Sequence, residues 1–389
     1  MRVQLDLERK GPVLGFMIDL PQPLQQVDRV FVQSRGRTLV YFGGCDYFRL
    51  ASHPAVVRAA HDAIDRFGLN VAASRRTSGN HAVYNRLEAS LKRFFGAPSA
   101  VLTSNGYSTA IVVAQALAGE VTHLLLDEHA HGCLVDAGDV LRCKVMRFAH
   151  RNVDDLRRKL RGLVGKTRVM VATDGMFSAT GALAPLPEYL EALPASGRLW
   201  IDDAHGAGAL GRTGKGTWEA LTGAGPFHAD DRVLMTLTLS KSFGCYGGAV
   251  LGPQALSDAI RLRSRLFTGN TPLPPPFAAA SLKAVEILRK TPGLRAKLMA
   301  NVTLLRSSLR SLGWPLEDST SPVLALTPSD ETTAAAIQKR MRRAGILPPF
   351  MRYPGGNDSG FFRIALSSEH SREQIKALVA AVGPCRPNA

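Results

Sequence analysis

The chain predicts an α/β fold: a mostly parallel central sheet with helices on both faces, followed by a smaller C-terminal α+β domain. Two observations carry this. From about residue 98, short apolar runs alternate with amphipathic stretches of helical period. The runs are near-continuously apolar, as strands buried on both faces are. A proline-rich stretch, NTPLPPP (270–276), marks a boundary, beyond which long helical patterns take over. The expected division is an N-terminal segment (1–45), a large α/β domain (46–276) and a small α+β domain (277–389).

Taken in order, the strand candidates are SAVLTS (99–104), THLLLD (122–127), KVMRFA (144–149), RVMVATD (168–174), RLWIDD (198–203), RVLMTLTLS (232–240) and GGAVLG (247–252). Helical segments lie between them, as at 106–118 and 153–162. Past the prolines come helices through 277–312, a strand in SPVLALT (321–327), a helix near 331–344, a strand in FFRIALS (361–367) and a last helix at 371–382. No internal repeat or low-complexity segment interrupts the pattern.

Composition sets bounds on function. The 389 residues, 45% of them hydrophobic, suffice for a substantial core and two or three domains. The charged start MRVQLDLERK lacks the apolar run of a signal peptide, and no later stretch is long and apolar enough to span a membrane, so a cytoplasmic protein is expected. Cys45, Cys133, Cys143, Cys245 and Cys385 form no C-x-x-C pair and read as free thiols. The net charge of +16 is dispersed; RLRSR (261–265) and KRMRR (339–343) lack interleaved aromatics and read as solvated faces, not a nucleic-acid groove. A positive surface also suits a phosphate-rich substrate or an acidic carrier protein.

Chemistry concentrates at the strand ends. In VLMTLTLSKSFGCYGGAV (233–250), Lys241 stands between a buried run and a glycine cluster, where an ammonium is costly unless paired, neutralised or consumed in a covalent bond. In LWIDDAHGAGALG (199–211), Asp202, Asp203 and His205 close another run, facing the crevice that parallel sheets offer to ligands. The G-x-G-x-x-G within it (Gly206, Gly208, Gly211) is not followed by a helix-like stretch, and a Walker A loop fails because Ala209 and Gly216 stand where Gly and Ser or Thr belong. His129 and His131 in DEHAHGC have no further ligands at zinc spacing, so no metal is expected. In TSNGYSTA (103–110) a strand ends in Gly106 and a helix begins, which leaves backbone N–H groups for a phosphate. A lysine, an aspartate, histidines and a phosphate cradle together fit pyridoxal 5'-phosphate (PLP), with Lys241 as the Schiff-base lysine and an acid at the pyridine nitrogen.

Several of these motifs occur in one order: CDYFRLASHP (45–54), SRRTSGNHAVYNRLEASLKRFFG (74–96), NGY, DEHAHG, TDGMFSATGALAPL (173–186), IDDAHGAGALG, TLSKSFG and RIALSSEHSREQI (363–375). In these the chain resembles the α-oxoamine synthases, which are PLP-dependent transferases of fold type I. The resemblance implies that Lys241 forms the internal aldimine and moves the α-proton, Asp202 faces the pyridine nitrogen and His205 meets the ring's 3-oxygen. It implies that His131 stacks on the ring and Ser178 lies at its edge. Gly106, Tyr107 and Thr238 would hold the phosphate, with Thr271 reaching the phosphate of the second subunit of a homodimer. Arg363 would grip the amino-acid carboxylate, a task suited to guanidinium.

The implied reaction condenses an amino acid with an acyl-CoA or acyl-carrier-protein thioester, releasing thiol and carbon dioxide to leave an α-amino ketone. The family's usual N-D-Y-L-G-L reads CDYFRL here, which puts Cys45 beside the substrate; H-A-S reads HGC; NVAA (70–73) replaces glycines; and 350–362 lacks a proline-threonine turn. An aminotransferase or aldolase would use the same lysine and aspartate. A regulatory protein that keeps the fold to bind nucleic acid is disfavoured by the intact catalytic set.

Overall fold

The computed structural model describes residues 22–163, 167–227, 230–352 and 360–383. Cys385 and most of the 350–362 departure lie outside them. A seven-stranded sheet runs in the spatial order Ser99–Thr103, Gly248–Gly252, Val233–Thr238, Arg198–Asp202, Val169–Asp174, His123–Asp127, Lys144–Phe148. All seven strand runs expected from the sequence are present. From Val233–Thr238 to Lys144–Phe148 every pairing is parallel. Gly248–Gly252 runs antiparallel to both neighbours, because the loop that carries Lys241 is too short for a helical crossover.

The register brings the chemistry to one edge. Asp174 stands beside Asp202, and Asp202 beside Thr236, so the carboxyl ends of three adjacent strands open together on the crevice. The Lys241 loop beyond them is firmly anchored. Phe243 is fully buried with ring centroids 6.1 Å from Phe94 and 6.5 Å from Phe95. Burial of a phenylalanine contributes about 1.5–3 kcal/mol. Gly244 turns the loop at φ +62°, where a Cβ would lie 2.3 Å from the Ala51 nitrogen, so only glycine fits.

The proline-rich stretch starts the helix Pro275–Lys290, with prolines in its first turn where no N–H is needed. The strands Gln25–Asp28, Phe31–Ser34 and Arg37–Tyr41 form a meander, and Arg37–Tyr41 pairs in parallel with Ile346–Leu347. A three-stranded sheet joins Val323–Leu326, Phe361–Ala365 and Phe350–Met351. Residues 37–41 thus pack against residues 346–347 beyond the central sheet. The basic clusters have structural partners: Arg263 pairs with Glu120 at 2.8 Å, and Arg340 donates to the Ala380 and Ala381 carbonyls near a helix end. Among the described residues no helix is long and apolar enough to cross a membrane, and Cys45, Cys133, Cys143 and Cys245 are free thiols.

Candidate active site

Lys241 lines a cavity of about 330 Å³ with Gly106, His131, Asp174, Asp202, His205 and Thr238. Burial lowers the Lys241 pKa below the ordinary lysine value, against the opposing pull of Asp202 and Asp174. A larger share of neutral amine results, which is the form that attacks a carbonyl.

Asp202 ends its strand buried, with Oδ1 accepting the Ala204 N–H at 3.1 Å and Oδ2 accepting the Cys133 thiol at 3.1 Å. Asp203 is not part of the site, although the sequence set it beside Asp202. Both its oxygens turn away to Thr217, at 2.6 Å from the hydroxyl and 2.8 Å from the N–H. Burial raises its pKa to about 6. A Cβ on Gly216 would sit 1.8 Å from Asp203 Oδ2, so these glycines fold a loop around a carboxylate and do not cradle a dinucleotide. His205 is buried and held neutral, chiefly by burial and then by the charge of Lys241. Its Nδ1 lies 2.8 Å from the Tyr47 hydroxyl, whose own pKa burial pushes well up. A protonated phenol donating to Nδ1 leaves Nε2–H to donate into the cavity.

The helix Gly106–Leu117 begins at the cavity wall. Its N-cap Asn105 accepts the Ser108 N–H at 2.8 Å in a capping box, while the Gly106 and Tyr107 N–H groups have no partner within the helix. Thr238 faces that helix start so closely that a Cβ on Gly106 would lie 2.7 Å from the Thr238 Cβ. Its hydroxyl is 2.7 Å from Ser240 Oγ. Two hydroxyls and free N–H groups at a helix N-terminus match the donor set an anion needs. A hydrogen bond to Asp136 pushes the Tyr107 phenol up to about 12, so it stays neutral beside this cradle.

On the opposite wall His131 caps the helix Gly132–Leu141, its Nδ1 accepting the Cys133 N–H at 3.3 Å. Its backbone N–H reaches Asp174 Oδ1 at 3.2 Å. Burial, then the Asp202 charge, pushes Asp174 well above the usual carboxylate range. The donor atoms of His131, Cys133 and Asp202 fall within 4.8 Å of one another, a grouping with no regular sequence spacing. Burial and Asp202 raise the Cys133 pKa, which keeps the thiol protonated.

Arg363, on the strand Phe361–Ala365, donates from Nε to the Ser178 carbonyl at 2.6 Å and from Nη2 to Cys45 Sγ at 3.3 Å. Cys45, Ser178 and Arg363 therefore cluster together, with Ser178 engaged through its backbone. The Arg363 charge bears on both Lys241 and His205. Thr271 does not line the Lys241 cavity; it faces a separate cleft with Arg75 and Asn270. Tyr47, Cys133, Asp174 and Ser240 stand within the motifs, but their residue types there point to no role. Their signal is adjacency in space, which spacing along the chain does not carry.

A model of the family "Aminotransferase class I and II" matches residues 39–382. The chain belongs to this family. Within it, the 8-amino-7-oxononanoate synthase of Methylococcus capsulatus is 36% identical, over 90% of this chain and 90% of that protein. The enzyme of the same name from Xylella fastidiosa is 33% identical, over 93% of this chain and 90% of its own length. Among solved structures, the chain is similar to a serine palmitoyltransferase variant from S. paucimobilis with bound PLP–myriocin aldimine, at TM-score 0.85, 25% identity and coverage of 93% of this chain and 90% of that one. A Sphingomonas wittichii serine palmitoyltransferase gives TM-score 0.85 and 27% identity, with the same coverage of 93% and 90%. Within the class I and II family the chain is thus an α-oxoamine synthase, with the fold-type-I architecture.

Proposed function

We propose that the chain is a PLP-dependent C-acyltransferase that condenses an amino acid with an acyl thioester, releasing thiol and carbon dioxide to give an α-amino ketone. One observation carries the reading: Lys241, the Asp202 carboxylate and the start of the helix Gly106–Leu117 converge on one cavity, in a chain whose relatives bear the names of such synthases. The residues fit the cofactor, because the space that a Cβ on Gly106 would take from Thr238 is kept free at the helix start.

When bound, PLP supplies an aldehyde carbon and a pyridinium ring that accepts an electron pair. Lys241 Nζ, with its lowered pKa, provides the amine that holds the cofactor and later takes up the α-proton. Asp202 would keep a proton on the pyridine nitrogen, and His205 would donate from Nε2 toward the ring's 3-oxygen. His131 would cover the ring. Gly106, Tyr107, Thr238 and Ser240 would hold the phosphate. Arg363, steadied by the Ser178 carbonyl, grips the amino-acid carboxylate, with Cys45 alongside. A homodimer would complete the site, with Thr271 reaching toward the phosphate held by the second subunit. The +16 charge favours polyanionic acyl donors, either acyl-CoA or an acyl-carrier protein.

The test pairs two readouts. Borohydride reduction of the PLP-loaded enzyme, followed by peptide mass mapping, places the cofactor on Lys241, and amino-acid-dependent thiol release from acyl-CoA or acyl-carrier protein follows turnover. Lys241→Ala loses both. Label on another residue, or undiminished thiol release by the variant, refutes the assignment.

A further inference from the structure

Cys133 lines the cavity at the place where the H-A-S pattern that the sequence resembles has its serine. Cys133 is 2% exposed, and its Sγ lies 3.1 Å from both Asp202 Oδ2 and His131 Nδ1. The thiol has one proton to give. The single Nδ1 lone pair of His131 already takes the Cys133 backbone N–H at 3.3 Å, so the S–H goes to Asp202. Oδ1 of the same carboxylate accepts Ala204 N–H, and what remains of the charge on Asp202 faces the cavity.

We propose that the Cys133 thiol is a positioning residue that sets how firmly Asp202 holds the proton on the cofactor's pyridine nitrogen. A thiol is a weaker donor than a hydroxyl, so it leaves more negative charge on Oδ2. A more basic Asp202 keeps the ring a stronger electron acceptor. The helix start enforces the contact: with His131 as N-cap, Cys133 enters the first turn already aimed at the strand end that carries Asp202. This inference rests on the reading of Asp202 as the pyridine partner.

The other ionisable groups around Asp202 are Asp174 on the adjoining strand, His131 at the helix start, Lys241 on the loop beyond the neighbouring strand, and Asp203 and His205 on its own segment. Of these, His131 also touches Cys133, its Nδ1 lying 3.1 Å from Sγ. A protonated pyridine lowers the proton affinity of the nitrogen that joins Lys241 to the cofactor, so that nitrogen reports on Asp202.

The experiment records the absorbance of bound cofactor against pH for the native enzyme, Cys133→Ser and Cys133→Ala, with PLP dissociation constants and Tm measured alongside. In Cys133→Ser the stronger donor weakens the hold on the pyridine proton, and the midpoint rises by about half a pH unit, about threefold in proton affinity. In Cys133→Ala, with the donor gone, the midpoint falls by a similar amount. Opposite shifts are the signature. A purely structural thiol moves both variants the same way or neither, and either result overturns the proposal. Asp202→Asn separates the two readings: PLP affinity reduced about tenfold or more keeps Asp202 as the partner, whereas unchanged affinity and spectrum overturn that assignment itself.

Discussion

Replacement of Gly106 by alanine tests the phosphate cradle without touching a charged group. The added Cβ would lie 2.7 Å from Thr238 Cβ and 2.8 Å from Thr238 Oγ1. Ordinary contact needs roughly 3.5–4 Å, so the helix start and Thr238 separate by about 0.8 Å or more. The backbone of Gly106 is not in the left-handed region, and alanine gains about 0.5–1 kcal/mol of helix preference over glycine. These terms oppose each other, and Tm changes by only a few degrees. The anion site fares worse. Loss of one charge-assisted hydrogen bond costs about 1.5–3 kcal/mol, which is roughly 10- to 150-fold in affinity. The assay titrates cofactor-stripped Gly106→Ala with PLP, following absorbance. A dissociation constant within about threefold of the native value, at unchanged Tm, refutes the placing of the phosphate at this helix start.

Stability falls with acid through His370. Burial depresses its pKa to about 3, and its ring stacks on Phe42 at 4.2 Å, accepts Ser367 N–H at 2.9 Å and donates to Tyr41 O at 3.1 Å. Below about pH 6.5 the unfolded chain binds a proton that the folded one does not, so stability present above that pH drains away by about 1.4 kcal/mol per unit down toward the folded value. Chemical denaturation of native protein and His370→Gln between pH 7 and 5 checks this, with a flatter dependence expected in the variant. Phe243→Ala loses about 3–5 kcal/mol and loosens the Lys241 loop, to be read by denaturation midpoint and PLP affinity together. Tyr47→Phe leaves His205 Nδ1 without its 2.8 Å partner and destabilises by about 1–3 kcal/mol; a fall in kcat at unchanged PLP occupancy is expected.

The central sheet was legible because buried parallel strands read as continuous apolar runs, and the run from His123 to Asp127 or from Val233 to Thr238 needs no distant partner to be recognised. Lys241, Asp202 and His205 were legible for a related reason: ionisable residues directly after such runs stand at the crevice end of the sheet. What escaped depends on contacts across long stretches of chain. Arg37–Tyr41 pairs with Ile346–Leu347 through a register that only the folded chain sets. Asp203 looked the equal of Asp202 until the sheet placed one in the cavity and turned the other to Thr217. Cys133 and Asp202 meet at 3.1 Å although four elements of structure lie between them in the chain. Strand patterns report burial, whereas hydrogen-bond partners report topology.

The most direct test of the central claim supplies carboxyl-¹³C-labelled amino acids and a panel of acyl-CoA and acyl-carrier-protein thioesters to the PLP-loaded enzyme, and measures labelled carbon dioxide, free thiol and product mass together. The account predicts all three in equal amounts, with an unlabelled α-amino ketone as product. Transfer of the amino group to a keto acid without thiol release, or a labelled carboxylate retained in the product, would contradict it.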